Sequence, residues 1–373
     1  MIFVTNTKPL QDALNLGVVS GNVSKFYQKS CLAQLTCTRT ELRINLEALF
    51  INSEIRVKGI GDSDDCVSTL VDASLLKQLV NTFDAARTSI EYVDGGVIIR
   101  SGSSKFTLPQ MMDSDEIELT RPNTHLDDKV ACELDKSAWK FVKDHQMYAI
   151  GMGYINIVYN HVWVSEAGDV LVSDYDNSIF THSCSSNLGK TCLISDTIVN
   201  LFNSVPENTK LYRDNDTDTY ILNVVTDSYT YFAQFTPRVE DSDGVGNYNS
   251  DIILSKMDKP ADSIILNIAA LKKFLDQANL LSTNTEDVVT IDVSSGEVCV
   301  SDKNSECKFA VSGKADPYSV DFKTTLLVSL ISHLDGETVS VAPVYNEGDE
   351  SSQAEGMVFW TDKLVCLLGG TDS

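Results

Sequence analysis

Basic residues are the first thing this chain is short of. Its 373 residues hold 29 lysines and arginines against 53 aspartates and glutamates, a net charge of −24. A surface of that sign repels polyanions, which excludes a protein that coats nucleic acid with its whole surface. It leaves open a partner held topologically, or by one less acidic face. Long apolar runs are also missing. No stretch of 18 apolar residues occurs, so no membrane helix and no membrane partner are expected. The first residues, MIFVTNTKPLQDAL, lack a basic stretch followed by an apolar one, so no secretory signal is expected. The nine cysteines stand singly, none in a CxxC pair, and read as reduced thiols of a cytoplasmic protein.

Catalytic signatures are scarce too. The five histidines show no HExxH-type spacing. SNLGKT at 186–191 ends like a phosphate-binding loop, but Cys184 stands where its first glycine belongs. DNDTDT at 214–219 begins like a calcium loop, yet Thr219 replaces the glycine of the turn and Val225 the closing glutamate. GMGYIN at 151–156 lacks the third glycine of a dinucleotide fingerprint. No nucleophile and base form a recognisable set. The expectation is a protein that is not an enzyme, with no cofactor and no metal. The competing catalytic reading is a metal-dependent hydrolase built on Asp174, Asp176 and neighbouring carboxylates.

What the chain does have is repetition. Three segments place apolar residues at i, i+3, i+4 and i+7, the stripe of a helix with one buried face. They are Leu76, Leu79, Val80 and Phe83; Ile198, Leu201, Phe202 and Val205; Leu327, Leu330, Ile331 and Leu334. Each is followed by alternating, strand-like runs. Each is preceded by another amphipathic segment, KPLQDALNLGVV, DKSAWKFVKDHQMY or NIAALKKFLDQANLL, itself followed by strands. The chain therefore reads as helix–strands–helix–strands three times, in units of ~120 residues. Polar, proline-containing linkers at 120–132 and 255–263 set expected domains at 1–121, 122–255 and 256–373. The fold class is α+β, with two helices packed on antiparallel sheets in each unit.

This ordered set resembles the bacterial DNA polymerase III β subunit, the sliding clamp, over essentially the whole chain. The residues that carry it are VDASLLKQLV running into VIIRSGSSKFTL, and DVLVSDYDNSIF, whose Ser173-Asp174 is similar to the family's Thr-Asp-Gly turn. The resemblance implies three similar clamp domains per chain and two chains closing head to tail into a ring lined by helices. Twelve helices ~9 Å apart give an axis circle ~34 Å across and a hole of ~24 Å, enough for a duplex. It further implies a replication processivity factor that encircles double-stranded DNA without sequence preference. Its partners would be a DNA polymerase and a clamp loader, held through a peptide-binding cleft. A monomeric processivity factor that binds DNA by charge is the nearer alternative, but it needs a strongly basic face.

Site residues follow from the resemblance. Lys8, Lys77, Lys136, Lys140, Lys143, Lys272, Lys273 and Lys323 lie on the expected helices, with Lys25, Lys29 and Arg87 nearby, and would face DNA. About as many acids share those helices, so the excess negative charge belongs to strands and loops. Phe106 and Leu108 would bury against Leu280 and Leu281 of the other chain, with Arg100 and Lys105 facing Asp302 and Glu306. Pairing that strand edge removes an aggregation hazard. The partner-peptide cleft would comprise Ser173, Asp174, Tyr175, Ile179, Tyr248, Val365, Leu367 and Leu368. Here the chain departs from the family. It runs VCLLGGTDS where the family has Met-Pro-Met, and Tyr175-Asp176 where the family has Gly-His, which implies diverged partners such as those of a virus-encoded replisome.

Overall fold

The computed structural model describes residues 1–18, 32–48, 51–111, 119–150, 161–174, 177–181, 188–238, 248–259, 262–281, 287–294, 296–303, 305–313, 315–345 and 354–371. Among them, all six expected helices form: α1 (Thr7–Gly17), α2 (Ala73–Asn81), α3 (Lys136–Ile150), α4 (Asp196–Ser204), α6 (Ile268–Leu281) and α7 (Thr324–His333). The apolar stripes of α2, α4 and α7 are buried, apart from a half-buried Leu79. Asp72 opens α2 as an N-cap, accepting from the Leu75 amide at 2.8 Å. A seventh helix, α5 (Ser250–Lys256), was not expected. It is only seven residues long, starts from Asn249 in the left-handed region (φ 57°), and runs into the segment read as a linker.

The chain divides into two compact units. The first comprises residues 1–139, 185–189 and 195–238. It holds a five-stranded antiparallel sheet in the order Ile60–Gly61, Ile2–Asn6, Arg87–Val93, Gly96–Ser101, Ser104–Pro109. Its second sheet has eight strands: Val130–Cys132, Lys210–Asp214, Thr219–Val225, Tyr229–Phe235, Ile51–Lys58, Glu41–Ala48, Leu32–Cys37 and Val67–Asp72. The central join pairs Tyr229 with Val57 through to Phe235 with Ile51. Strands from either side of position 121 therefore share one hydrogen-bonded sheet.

The segment expected as a linker at 120–132 is tied down along its length. The Thr120 amide donates to Glu47 (3.1 Å), the Asn123 amide to Gln234 (2.6 Å), and residues 130–132 form a strand on Lys210–Asp214. The calcium-loop look-alike has its own cation. Lys129 Nζ lies 3.1 Å from Asp214 and 2.9 Å from Asp128, while Asp214 also accepts the Asp216 amide at 3.0 Å. Burial pushes the Asp214 carboxyl up, but the hydrogen bonds from Lys129 and the Asp216 amide outweigh it and leave it below its ordinary value. A carboxyl held down in the folded state contributes stability above its unfolded pKa, and loses it as pH falls through the folded value. Asp214→Asn is expected to flatten the acid limb of the stability profile, read by urea unfolding from pH 6 down to 3. An unchanged acid limb would contradict this account.

The second unit comprises residues 140–184, 190–194 and 239–373. Its nine-stranded sheet runs Cys192–Ser195, His161–Val164, Val170–Ser173, Ser178–Thr181, Leu364–Gly369, Gly356–Trp360, Thr338–Val344, Ile264–Asn267, Ser312–Gly313. A four-stranded sheet follows: Glu306–Ala310, Glu297–Ser301, Val288–Ser294, Tyr318–Lys323. Leu271, Phe274 and Leu275 of α6 share one core with Leu327, Leu330 and Ile331 of α7 and with side chains from both sheets. The strand Leu364–Gly369 serves two cores. Leu364, Cys366 and Leu368 join the helix-side core, while Val365 and Leu367 face an aromatic cluster on the other side. That two-sided burial explains why LVCLL is a continuous apolar run rather than an alternation. The described cysteines carry free thiols, and burial pushes Cys37 and Cys366 up to about 12, so both stay protonated.

Candidate functional site

The helices come in pairs, and donors on the first helix of each pair reach the last carbonyls of the second. Gln11 Nε2 on α1 donates to the Val80 and Phe83 carbonyls at the end of α2, at 3.0 and 2.9 Å. Lys136 Nζ on α3 donates to the carbonyl of Val205, the C-cap of α4, and lies 3.7 Å from Glu207. Lys272 Nζ on α6 donates to the Ser332 and Leu334 carbonyls at the end of α7, at 3.2 and 3.1 Å. In the first pair Lys77 answers from α2 by donating to Val18, the C-cap of α1, at 2.7 Å. Burial pulls the Lys77 ammonium below its ordinary range. These contacts join the start or middle of one helix to the end of its partner, and cations suit helix C-termini.

The expected DNA-facing lysines therefore fall into two sets. Lys77, Lys136 and Lys272 spend donors on carbonyls inside the fold. Lys140, Lys143 and Lys273 project into solvent, as does Lys8, which pairs with Asp12 one turn on at 2.7 Å. Arg87 is exposed and Lys323 half-buried. Lys25 and Lys29 lie outside the described residues. Gln11 was missed, since a neutral amide carries no charge signal in a sequence.

The strand Ser104–Pro109 is an outer edge of the five-stranded sheet. Leu108 (4% exposed) faces the core of its own unit, opposite a fully buried Val97. Phe106, two residues earlier, is 41% exposed and touches only the rim of that core, its ring 5.8 Å from Phe83. Arg100 pairs with Glu91 at 2.6 Å within the sheet, whereas Lys105 is exposed. In the second unit, Leu280 at the end of α6 is 84% exposed. The Leu281 side chain lies outside the description. Glu306 opens an edge strand of the four-stranded sheet and lies 3.4 Å from Lys308, while Asp302 accepts the Ser305 amide at 2.6 Å.

The expected cleft residues do not share one face. Ile179 and Leu368 belong to the helix-side core. Tyr248 and Leu367 belong to the aromatic cluster with Trp163, Leu171, Phe180, Ile253, Met257, Val358 and Trp360, against which Val365 and Leu254 are half-buried. Tyr248 is fully buried and its hydroxyl donates to the Leu171 carbonyl at 3.1 Å. Trp360 Nε1 donates to the Met257 carbonyl at 2.8 Å, which docks the end of α5 on the sheet. Ser173 and Ser178 exchange a buried hydrogen bond at 2.6 Å. Asp174 accepts the Asn177 amide at 2.7 Å, and Asn177 Oδ1 accepts the Gly369 amide at 3.3 Å, so this turn holds the last strand. Tyr175 lies outside the described residues. The tryptophans and α5 were missed, although Trp163 and Trp360 are two of only three tryptophans in the chain. Among the described residues no three of His, Cys, Asp and Glu converge as a metal site would require. No helix there is long and apolar enough to cross a membrane.

By sequence the chain matches no family model and no curated protein. By structure it matches bacterial proteins over its whole length. These include a DNA polymerase III β subunit from Caulobacter crescentus (TM-score 0.74, 14% identity, 100% of both chains) and one from Thermotoga maritima (0.72, 13%, 100% of both chains). A DNA polymerase sliding clamp from Bacillus subtilis gives 0.70 at 14% identity, over 100% of this chain and 99% of that one. With its paired helices, antiparallel sheets and full-length correspondence, this chain has the fold of the bacterial DNA polymerase III β subunit, the sliding clamp.

Proposed function

We propose that this protein is a DNA sliding clamp, a non-catalytic processivity factor that encircles duplex DNA and tethers a polymerase. The observation that carries the reading is the correspondence of fold along the entire length of both chains. In this reading the repeats at 1–121, 122–255 and 256–373 act as three clamp domains. Two chains close a ring through the Phe106 edge of one and the region of Leu280, Leu281, Asp302 and Glu306 of the other. Two exposed edge strands and two exposed apolar side chains support that pairing. Phosphates would meet the solvent-facing lysines, and the net charge of −24 suits weak contact combined with topological holding. A polymerase and a clamp loader would dock near the aromatic cluster, where Asp174, Val365 and Leu254 reach the surface of the second unit. The site of action would be the cytoplasm, at a nucleoid or a viral replication centre.

The test is the native mass over a dilution series, together with retention on DNA. We expect a dimer of two 41.0 kDa chains. We also expect retention on a nicked circular duplex that is lost when the same DNA is linearised. A single chain at every concentration, or equal retention on circle and line, would overturn the ring.

A further inference from the structure

We propose that Gln11, Lys136 and Lys272 form one repeated device, a staple from the first helix of each pair to the C-terminus of the second. On this view these residues position the helices, and they do not serve as DNA contacts. The three pairs share little sequence at these points, yet the geometry recurs. Gln11 spans to the Val80 and Phe83 carbonyls, Lys136 to Val205, and Lys272 to Ser332 and Leu334. The last four carbonyls of a helix have no partner within it, so a side-chain donor there satisfies groups that otherwise need water. An ammonium adds attraction to the negative end of the helix dipole. The α7 terminus gathers several side-chain donors. His333 Nδ1 approaches the Ser329 carbonyl at 2.9 Å and Ser332 Oγ donates to the same carbonyl at 2.7 Å, while Lys272 takes the Ser332 and Leu334 carbonyls.

The staple also divides the labour among lysines of one helix. On α3, Lys136 is anchored on Val205, whereas Lys140 and Lys143, one and two turns on, are in solvent. On α6, Lys272 is anchored and its neighbour Lys273 is exposed. A lysine whose donors are held by backbone carbonyls keeps its charge but has little freedom to follow a phosphate. Contact with a duplex, which rests on the proposed function, then falls to Lys8, Lys140, Lys143 and Lys273.

The experiment compares two sets of methionine variants in the full-length protein. Lys136→Met and Lys272→Met remove staples, and Lys140→Met, Lys143→Met and Lys273→Met remove solvent-facing charges. Thermal unfolding and hydrogen exchange of the last turns of α4 and α7 are read first. The staple variants are expected to lower Tm by about 2–4 °C. They are also expected to speed exchange at the affected helix end by at least about fivefold, with Lys272→Arg restoring protection. The solvent-facing variants should leave both readouts alone. Affinity for a plain duplex oligonucleotide is then read against salt. Each solvent-facing lysine lost should reduce the slope by about 1, and each staple lysine should leave it unchanged. Unchanged exchange in the staple variants, or a salt slope that falls with them, would overturn the staple. If the wild-type protein binds no duplex at all, the clamp reading fails, while the exchange data still decide the staple.

Discussion

Phe106→Asp is expected to convert the proposed dimer into single 41.0 kDa chains at micromolar concentration while leaving the monomer folded. The two halves of that expectation have separate reasons. Phe106 is already 41% exposed and its ring contact with Phe83 is tilted, at 5.8 Å, so the fold loses about 0.5–1.5 kcal/mol. In a ring the same side chain would be a buried aromatic anchor at an interface centre. Replacing such an anchor by a carboxylate costs about 2–4 kcal/mol of association, or roughly 30- to 1,000-fold in Kd. The acid would also stand near Glu306 or Asp302 of the other chain in the proposed pairing. Leu108→Asp is the informative contrast. Leu108 is buried in its own unit, so that substitution should unfold the unit rather than split a dimer. Sedimentation and near-UV circular dichroism distinguish the outcomes. A Phe106→Asp protein that remains dimeric on dilution would remove this edge from the interface.

Trp360→Ala carries the largest expected effect on stability, about 3–5 kcal/mol. The indole packs in the aromatic cluster between Val365 and Ser340 on the neighbouring strands, and its Nε1 is bound to the Met257 carbonyl. Truncation leaves a cavity and also strips that carbonyl of its donor. α5 is too short to stand alone, since isolated helices below about 12 residues are marginal in water. Its docking depends on Ile253, Met257 and this hydrogen bond. Limited proteolysis should therefore show cleavage appearing within 250–259 in Trp360→Ala before the rest of the unit opens. Trp360→Phe keeps most of the packing and should lose only about 1 kcal/mol. Cleavage elsewhere, or a stability loss equal in both variants, would show that α5 is held by something other than Trp360.

The six long helices were legible because each needs only a local pattern, an apolar stripe at helical spacing with turns on either side. α5 was not, because seven residues opened by a left-handed Asn249 give too little period to read. Strand existence was legible from alternation, but strand partners were not. Nothing in YTYFAQF indicates that it pairs with INSEIRVK, far earlier in the chain, rather than with a strand of its own repeat. Hydrogen-bonding edges are chemically identical from strand to strand, and only packing chooses among them. Ile179 and Tyr248 belong to different clusters for a related reason. Side chains one residue apart on a strand point to opposite faces, and Ile179 entered the helix-side core while Phe180 took the aromatic one.

By itself the sequence determined the repeat, the helix pairs, the mixed α and β character and the negative charge balance, all of which follow from spacing and composition along the chain. Only the tertiary structure decided which lysines are spent and which are free. Lys136 and Lys140 are the same residue type one turn apart on one helix. What separates them is a carbonyl at Val205, 69 positions away, brought within reach where the start of α3 meets the end of α4. A side chain's role depends on the partner that folding delivers to it, and that partner is written in no local stretch of the chain.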